Sequence, residues 1–414
     1  MTITEKVNSL PGWAVPAAIF LFALAARLAY VFSAGIHTMP DIDSVEYLNY
    51  AKNLIAGEGY TDGRWRAFRA PGYPFFAAGV FGLFGESLPA LKVVQAAVSS
   101  SVPVMVYFIG RRLGGRAVAL GAGFFSCFYF GLVFEPHHLV SEALFTPLFV
   151  LAVLLLLKTE EDWRYSLPVG VVLGLTTLTR PVGLLVIAAG ALWIFLRLPL
   201  RRALKVSLFV FLSICAVMAP WWARNYRVFG TFVPVCLETG FVVKHTGTPP
   251  ELLDFNDGMP ELERDRRNLE EGLSYIRSRP GHELFMKGIR ELSRFLYPFL
   301  PAYDTTYMLI LPFWLYGLYA IVRSRDERSY LLFSMFIYFP IAFIFCGTTR
   351  YRHSLGAFFI LIAALGVKDL AERARASGRG RALAGAAAVW AALNVFIHIF
   401  SEPARFAFKS FLGI

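Results

Sequence analysis

Charged residues are scarce in this sequence. Aspartate, glutamate, lysine and arginine together make up 17% of the 414 residues, whereas 57% are hydrophobic. Soluble globular domains typically carry about 25% charged residues, so the shortage of charge excludes an ordinary soluble protein. Apolar runs of about 20 residues recur along the chain, and each is long enough to cross a bilayer as a helix. The sequence therefore predicts an all-α polytopic membrane protein.

Cysteine is also rare and scattered. The chain has four cysteines, none in a CxxC pair or at a Cys/His ligand spacing: Cys127, Cys215, Cys236 and Cys346. This distribution signals neither a zinc site nor a disulfide framework. Acidic residues are outnumbered by basic ones, 29 to 40, which gives a net charge of +11. In a membrane protein this excess first reflects basic cytoplasmic loops, so we expect no nucleic-acid partner.

The apolar runs predict a topology. No small-residue cleavage site follows the first run, so we interpret residues 13–33 as a retained helix and place the N-terminus in the cytoplasm. Eleven spans are predicted, at about 13–33, 88–110, 116–134, 140–157, 165–179, 181–197, 205–222, 306–322, 330–346, 351–367 and 382–400. The cytoplasmic loops are then all basic or mixed in charge, as the positive-inside rule requires. The stretch 165–197 is tight for two crossings, so a re-entrant pair around Pro181 or one tilted helix is an alternative to two short spans.

Two large outer loops remain, residues 34–87 and 223–305, within a single transmembrane domain over 1–414. The first carries the candidate catalytic base. Asp41 and Asp43 lie where an amphipathic helix along the membrane surface is predicted to begin, with Tyr47 on its apolar face. A carboxylate there either caps the helix or accepts a proton from a sugar acceptor as a leaving phosphate departs.

Two carboxylates at one helix start favour catalysis, with Asp43 as the general base. The tripeptide Asp41-Ile42-Asp43 also matches the DxD pattern, which can bind a divalent cation. Three-residue matches arise easily by chance, so the pattern alone does not establish a metal site. A divalent cation stays an alternative, with no ligand set given by the sequence.

A short later loop, EPHHLVSE at 135–142, adds two histidines and two acids. Histidine with carboxylate is a common ligand combination, but the spacing of Glu135, His137, His138 and Glu142 matches no metal motif. Glu142 opens a predicted helix, where an acid also stabilises the positive end of the helix dipole. We expect this loop to form a second wall of the site, with His137 and His138 contacting substrate.

Arginines in short outer loops are a sharper signal. Arg180, Arg350 and Arg352 lie on the side of the membrane that the positive-inside rule disfavours. An anionic substrate would offset the cost of placing arginines on that side, because the guanidinium fork fits phosphate oxygens. We expect these arginines, with His353, to bind a donor phosphate; extension toward lipid headgroups is the alternative. Two weaker substrate-binding candidates lie in the large outer loop, Lys244 and His245.

The chain resembles the GT-C glycosyltransferases, close to the branch of protein O-mannosyltransferases and lipid A aminoarabinose transferases. The resemblance covers most of the chain and rests on the order and spacing of several short motifs. These are Asp43 followed four residues later by Tyr47, RAPGYP at 69–74, Glu142, LTRP at 178–181, PWWARNYRVFG at 220–230 and TRYRH at 349–353.

The resemblance implies an inverting enzyme that moves a sugar from a polyprenyl-phosphate donor in the bilayer to an extracytoplasmic protein, lipid or glycan. Asp43 matches the family's catalytic aspartate, and Glu142 matches a second acid near the acceptor. Tyr47, Arg69 and Tyr73 become candidate contacts to substrate. The expected location is the bacterial inner membrane, with the site facing the periplasm.

The chain departs from the family in one respect. Larger members carry a soluble C-terminal domain, whereas here the last predicted helix is followed only by SEPARFAFKSFLGI. We therefore expect residues 223–305 to contribute more to acceptor selection.

Two other functions fit the same residues. A transporter or flippase for a lipid-linked saccharide would also need outer arginines, but such proteins commonly contain internal repeats, and none is visible in this sequence. A catalytically inactive assembly subunit is the second alternative, and the presence of Asp43 argues against it.

Overall fold

The computed structural model describes residues 11–39, 42–248, 253–254, 258–299, 303–324, 337–345 and 347–403, and the regular elements in these ranges are all helical. The α-helices are α1 (Ala14–Ser33), α2 (Ile42–Ile55), α3 (Gly72–Phe84), α4 (Leu88–Ser99), α5 (Ser101–Phe128), α6 (Phe130–Phe134), α7 (Glu142–Lys158), α8 (Ser166–Thr179), α9 (Gly183–Arg197), α10 (Leu200–Phe229), α11 (Thr239–Gly247), α12 (Glu261–Ser278), α13 (Gly281–Leu296), α14 (Thr305–Ser324), α15 (Tyr338–Ile344), α16 (Thr349–His353), α17 (Gly356–Ala376) and α18 (Gly380–Ile399). The prediction of an all-α polytopic membrane protein is confirmed.

Several helices have the length and composition of membrane spans. A helix of about 20 residues is about 30 Å long, which matches the hydrocarbon core of a bilayer. Among the described residues, five helical segments are long and apolar enough, at Ala14–Ser33, Leu88–Phe128, Leu200–Phe229, Thr305–Arg323 and Gly380–Ile399. The count of eleven spans stays a prediction, and part of the expected helix 330–346 lies outside the described residues.

The segment 88–134 differs from the predicted pair of helices. The first helix breaks after Ser99, and α5 then runs on to Phe128 with a sharp turn at Gly115. Gly115 has φ 80° and ψ −169°, a conformation that glycine adopts without strain. The two arms of α5 approach closely enough that a Cβ on Gly110 would lie 3.1 Å from the Cα of Ala119. The expected loop 111–116 is therefore a one-residue turn.

Residues 165–197 form two helices, so the alternative of one tilted helix is wrong. α8 and α9 are separated by Arg180, Pro181 and Val182. Glycine allows α8 to pack closely on α10, because a Cβ on Gly170 would lie 2.4 Å from the carbonyl oxygen of Val210. The corner between α8 and α9 presents Arg180 at the end of the bundle.

The predicted cytoplasmic loops meet at one end of the bundle. Arg112 and Arg197 pair with the same carboxylate, that of Glu160, at 2.8 and 2.9 Å. The ammonium of Lys368 donates to the carbonyl of Gly114 at 3.1 Å. Loops that the charge pattern assigns to one side thus contact one another, and the side of the membrane on which they lie remains a prediction.

The two large outer loops pack on each other at the opposite end. Both carboxylate oxygens of Glu261, at the start of α12, accept the backbone N–H groups of Arg66 and Ala67, at 2.7 and 2.8 Å. The N–H of Leu237 donates to the carbonyl of Ala67 at 2.7 Å. These bonds fix the first loop against the second and so position the residues around Arg69.

The topology can be tested by labelling single cysteines in a background whose native cysteines are replaced. We expect Glu58→Cys, in the first outer loop, to react with a membrane-impermeant maleimide in intact cells. Arg201→Cys and Arg375→Cys, in basic loops, should react only after lysis. Strong labelling at position 201 in intact cells would invert the arrangement.

Candidate active site

Seven charged side chains from separate parts of the chain meet at the end of the bundle formed by the outer loops. We call them the charge cluster: Asp43, Glu46, Glu142, Glu238, Arg69, Arg180 and Arg350. They come from α2, the segment before α3, the starts of α7 and α11, the corner before α9, and α16. The cluster therefore forms only when these elements have docked.

Arg69 binds three carboxylates. Its guanidinium lies 2.6 Å from Glu238 through Nη1, 2.8 Å from Asp43 through Nη2, and 2.7 Å from Glu46 through Nε. Only 12% of this side chain is exposed. Burial disfavours its charge, but Glu238 and the other nearby carboxylates outweigh that effect and raise the pKa of Arg69. Arg69 thus stays ionised and holds α2 and α11 together.

Arg350 joins the other two acids. Its Nη1 donates to Asp43 Oδ2 at 2.7 Å, while Nε and Nη2 form a bidentate pair with Glu142 at 2.5 and 2.9 Å. Arg180 also contacts Glu142, at 2.6 Å. The side chain of Glu142 is only 1% exposed, whereas that of Asp43 is 34% exposed. Glu142 therefore anchors two arginines, and Asp43 is the most exposed of the three acids that line the cavity described below, since Glu238 is 21% exposed.

Burial affects Glu238 differently. Desolvation raises the pKa of its carboxyl, and the neighbouring charge of Arg69 opposes that rise. Glu238 is thus protonated more readily than an exposed glutamate as the pH falls. Loss of its negative charge would remove one of the three partners that hold Arg69.

The cluster borders a cavity of about 400 Å³. A volume of this order is typical of sites for small ligands. Its polar lining residues are Asp43, Tyr47, Arg69, Ser141, Glu142, Thr179, Arg180, Glu238, Thr239, Tyr338, Arg350 and Tyr351. Apolar side chains such as Leu184 and Ile341 complete it. The cavity therefore combines an accessible carboxylate with three guanidinium groups.

A second and larger space lies beside this cavity. It is a groove of about 1220 Å³ between α3, α7, α8 and α10, and Thr179 lines both spaces. The boundary is thin because Gly72 packs directly on Thr179: a Cβ at Gly72 would lie 2.6 Å from the Thr179 hydroxyl oxygen. The Pro71-Gly72 turn of the RAPGYP motif thus forms part of the wall between cavity and groove.

Six of the fourteen site residues proposed from the sequence meet in this cavity. Asp43, Tyr47, Arg69, Glu142, Arg180 and Arg350 all line it. Sequence reasoning missed Glu238 and gave Glu46 no role. Glu238 is the only acid in the apolar stretch FVPVCLETGFVV, and such an isolated acid is the signal that could have found it.

Arg352 and His353 were expected to bind phosphate, but they do not line the cavity. Arg352 is fully buried and pairs with Asp304 at 3.3 Å, and its Nη1 donates to the Tyr297 carbonyl at 2.8 Å. His353 is buried between Phe130 and Phe134. Successive helical residues are rotated by 100°, so Arg352 lies about 200° around α16 from Arg350 and faces away from the cavity. A phosphate in the cavity would therefore contact Arg350 and not Arg352.

Three further residues that were expected to contact substrate, Tyr73, His137 and His138, interact with other side chains instead. Tyr73 packs on Tyr47 and donates its hydroxyl to Gln95. The Nδ1 atom of His137 lies 3.4 Å from Lys92, and His138 packs against Phe134. None of these side chains lines the cavity, so the 135–139 loop supports the site from behind through Glu142 and does not form a wall with its histidines.

The expected contacts in the large loop are structural as well. Lys244 pairs with Glu271, and His245 stacks on Phe241. Asp41 lies outside the described residues. Within the described ranges, no group of three or more His, Cys, Asp or Glu is arranged to hold a metal ion.

Comparison with known proteins gives a partial sequence match. Residues 68–223 match the family of dolichyl-phosphate-mannose-protein mannosyltransferases, which is less than half of the chain. No curated protein matches the sequence. The matched segment begins at Phe68 and includes Arg69, Glu142 and Arg180, which belong to the charge cluster.

The fold matches solved structures over most of its length. The oligosaccharyltransferase of Archaeoglobus fulgidus in complex with zinc and sulfate has a TM-score of 0.60 at 14% identity, covering 92% of this chain and 52% of that one. Its complex with an inhibitory peptide and a dolichol-phosphate has a TM-score of 0.58 at 15% identity, covering 94% and 54%. ArnT from Cupriavidus metallidurans has a TM-score of 0.44 at 12% identity, covering 85% and 77%. The chain spans about half the length of the archaeal enzymes, and the expected GT-C fold is confirmed.

The anchoring role of Glu142 can be measured as stability. Glu142→Gln removes the negative charge that two arginines share in a buried position, and breaking a buried pair typically costs about 3 to 5 kcal/mol. We expect the free energy of unfolding, measured in a mixed-detergent titration, to fall by about that amount. The exposed Glu58→Gln is the matched control and should change it by less than about 0.5 kcal/mol. Equal effects of the two substitutions would contradict the anchoring role.

Proposed function

We propose that this chain, whose fold is that of the GT-C glycosyltransferases, transfers a sugar from a polyprenyl-phosphate donor to an acceptor on the outer face of a bacterial inner membrane. The observation that carries the proposal is the contact between Arg350 and Asp43 in the cavity wall, at 2.7 Å. It brings a phosphate-binding group and a carboxylate base together at the membrane end where a lipid-linked sugar would be presented.

The donor phosphate is proposed to bind Arg350 and Arg180. Both line the cavity, and both carry a planar fork of N–H donors that suits phosphate oxygens. Support comes from the archaeal oligosaccharyltransferase of the same fold, which has been solved with a dolichol-phosphate. In the proposed complex the phosphate takes over N–H groups that now contact carboxylates.

Asp43 is proposed to be the general base. Transfer with inversion requires a base on the face of the sugar opposite the leaving phosphate, positioned to take the proton from the acceptor hydroxyl or amine. Both carboxylate oxygens of Asp43 now accept from arginines, Oδ1 from Arg69 and Oδ2 from Arg350. When a phosphate draws Arg350 away, Oδ2 becomes available to the acceptor, while Arg69 keeps the carboxylate in position.

The role of Asp43 can be separated from that of its neighbours. Asp43→Asn keeps the shape and removes the basicity, so turnover should fall by about 10²- to 10⁴-fold while binding of polyprenyl phosphate is retained. The measurement is product formation by the purified full chain in nanodiscs with synthetic polyprenyl-phosphate sugars, read by mass spectrometry.

Glu46→Gln is the matched control for this experiment. Glu46 lies on the same helix, has the same 34% exposure and also contacts Arg69, but it does not line the cavity. Its substitution should reduce turnover far less, and so should Asp41→Asn. If Asp41→Asn is the more severe change, the base is Asp41. If turnover is unchanged in all of these variants, Asp43 is not the base and Glu142 is the remaining candidate. A wild type that forms no product with any donor would favour an inactive subunit.

Arg350→Lys tests the phosphate site. Lysine retains the charge but loses the fork, and one charge-assisted contact is typically worth about 1.5 to 3 kcal/mol. We expect the affinity for polyprenyl phosphate to fall by about 10- to 150-fold. Arg116→Lys, in the basic loop at the opposite end, is the control. Unchanged affinity in the Arg350 variant would remove this arginine from the donor site.

A further inference from the structure

The large groove beside the cavity is not used by the catalytic steps above. Its walls are apolar and come from four helices, with Phe76 from α3, Leu148 from α7, Leu175 from α8 and Val217 from α10. Leu148 and Leu175 lie six and four residues from the ends of α7 and α8 that face the charge cluster, and Val217 lies twelve residues before the end of α10. The groove therefore extends from that end of the bundle along the sides of these helices. Leu175 is 42% exposed, and so is part of the groove surface. Such a surface suits an apolar chain that enters from the membrane.

The outer end of this groove has a different character. Its charged lining residues are three arginines, Arg64, Arg66 and Arg224, and one acid, Glu58. The rings of Tyr60 and Trp221 lie beside them. Arg224 is half-buried; it donates to Asn225 Oδ1 and to the Tyr60 carbonyl, both at 2.9 Å, and its guanidinium lies 4.9 Å from the Trp221 ring. All three partners are neutral. The positive charge of Arg224 is therefore not neutralised by its direct contacts.

The second arginine adds like charge to the same place. Arg66 repels Arg224, although Glu261 attracts it more strongly. Among the described residues no carboxylate forms an ion pair with either side chain; Glu261, the nearby acid, uses both oxygens on backbone N–H groups. The arginines of the charge cluster, by contrast, all pair with carboxylates. Two neighbouring guanidiniums at the end of an apolar groove are complementary to an anionic group that carries an apolar chain.

We propose that this groove binds a second amphiphile, an anionic membrane lipid, whose acidic group lies between Arg66 and Arg224 and whose apolar chain lies against α7, α8 and α10. This lipid is the acceptor, an inference that rests on the proposed function. The donor phosphate belongs elsewhere, because it must lie beside Asp43, and Arg180 and Arg350 line that cavity. Gly72 and Thr179 form the boundary between groove and cavity, and the proposal requires a nucleophile on the lipid headgroup to meet the anomeric carbon there.

The transfer balances with these groups alone. The headgroup hydroxyl or amine forms a bond to the anomeric carbon, and the bond from that carbon to the phosphate oxygen breaks. The electron pair leaves with the polyprenyl phosphate, and the acceptor proton goes to Asp43.

The experiment is lipid retention by the purified full chain, measured by native mass spectrometry with phosphatidylglycerol and, separately, with polyprenyl phosphate. In the double variant Arg66→Gln/Arg224→Gln, retention of phosphatidylglycerol should fall at least tenfold, whereas polyprenyl phosphate should be retained as in the wild type. Arg227→Gln is the matched control, because Arg227 is an exposed arginine one turn along α10 that does not line the groove. A second variant, Val217→Trp, fills the groove without changing charge and should also reduce phosphatidylglycerol retention.

Several results would overturn the proposal. Loss of polyprenyl phosphate in the double variant would assign the groove to the donor, and an equal effect of Arg227→Gln would mean nonspecific lipid around the bundle. The acceptor claim is tested separately by incubating the wild type with donor and with both lipid and peptide acceptors: sugar on a peptide and not on lipid contradicts it. Asp43→Asn should still bind phosphatidylglycerol, because Asp43 does not line the groove. If the wild type binds this lipid but transfers no sugar to any acceptor, the proposed function is wrong and the lipid site stands.

Discussion

The end of the bundle that carries the charge cluster depends on the mutual neutralisation of charges that are largely removed from water. Moving a carboxylate or guanidinium out of water costs several kcal/mol per ion, and attraction offsets that cost only where the geometry is good and hydrogen bonds are complete. Here Glu142 accepts a bidentate pair from Arg350 and a further bond from Arg180, while Arg69 contacts three acids. Substituting one of these residues would leave a buried partner unpaired. It would also separate helices, because Arg69 joins α2 to the start of α11 and Arg350 joins α2 to α7.

The same constraint explains why a site assembled from distant segments can be well positioned. Asp43 and Arg350 are 307 residues apart in the sequence. Arg350 sits on a five-residue helix, too short to be stable alone. Its position is fixed from the opposite side, where the buried Arg352 pairs with Asp304 and donates to the Tyr297 carbonyl. The two arginines of TRYRH thus have different tasks: Arg352 fastens α16 to the bundle, and Arg350 faces the cavity.

The sequence predicted the composition of the site better than its geometry. Apolar runs, basic loops, outer arginines and acids at predicted helix starts are local features. They were enough to predict a polytopic helical protein and to select Asp43, Glu142, Arg180 and Arg350, whereas Arg69 came from the resemblance through its RAPGYP motif. They could not separate Arg350 from Arg352, because that distinction requires α16 to be recognised as a helix with one buried face. They also gave Glu238 no partner, since its contact with Arg69 spans 169 residues and the first and second outer loops. The one-residue turn at Gly115 was missed because glycine with positive φ leaves no hydrophobic signature.

Competition for one guanidinium is the feature that links binding to chemistry in the proposed mechanism. Without substrate, Arg350 satisfies both Asp43 and Glu142, so the arginine is already held near the place where a phosphate would arrive and needs little reorganisation. A phosphate can replace Asp43 at Nη1 at less cost than it can replace Glu142, because Glu142 is almost fully buried and uses two bonds, whereas Asp43 is a third exposed and uses one. The exchange leaves Glu142 paired and releases one oxygen of Asp43. Because Arg350 occupies this oxygen until the donor is bound, the acceptor meets a free base only when a leaving group is in place.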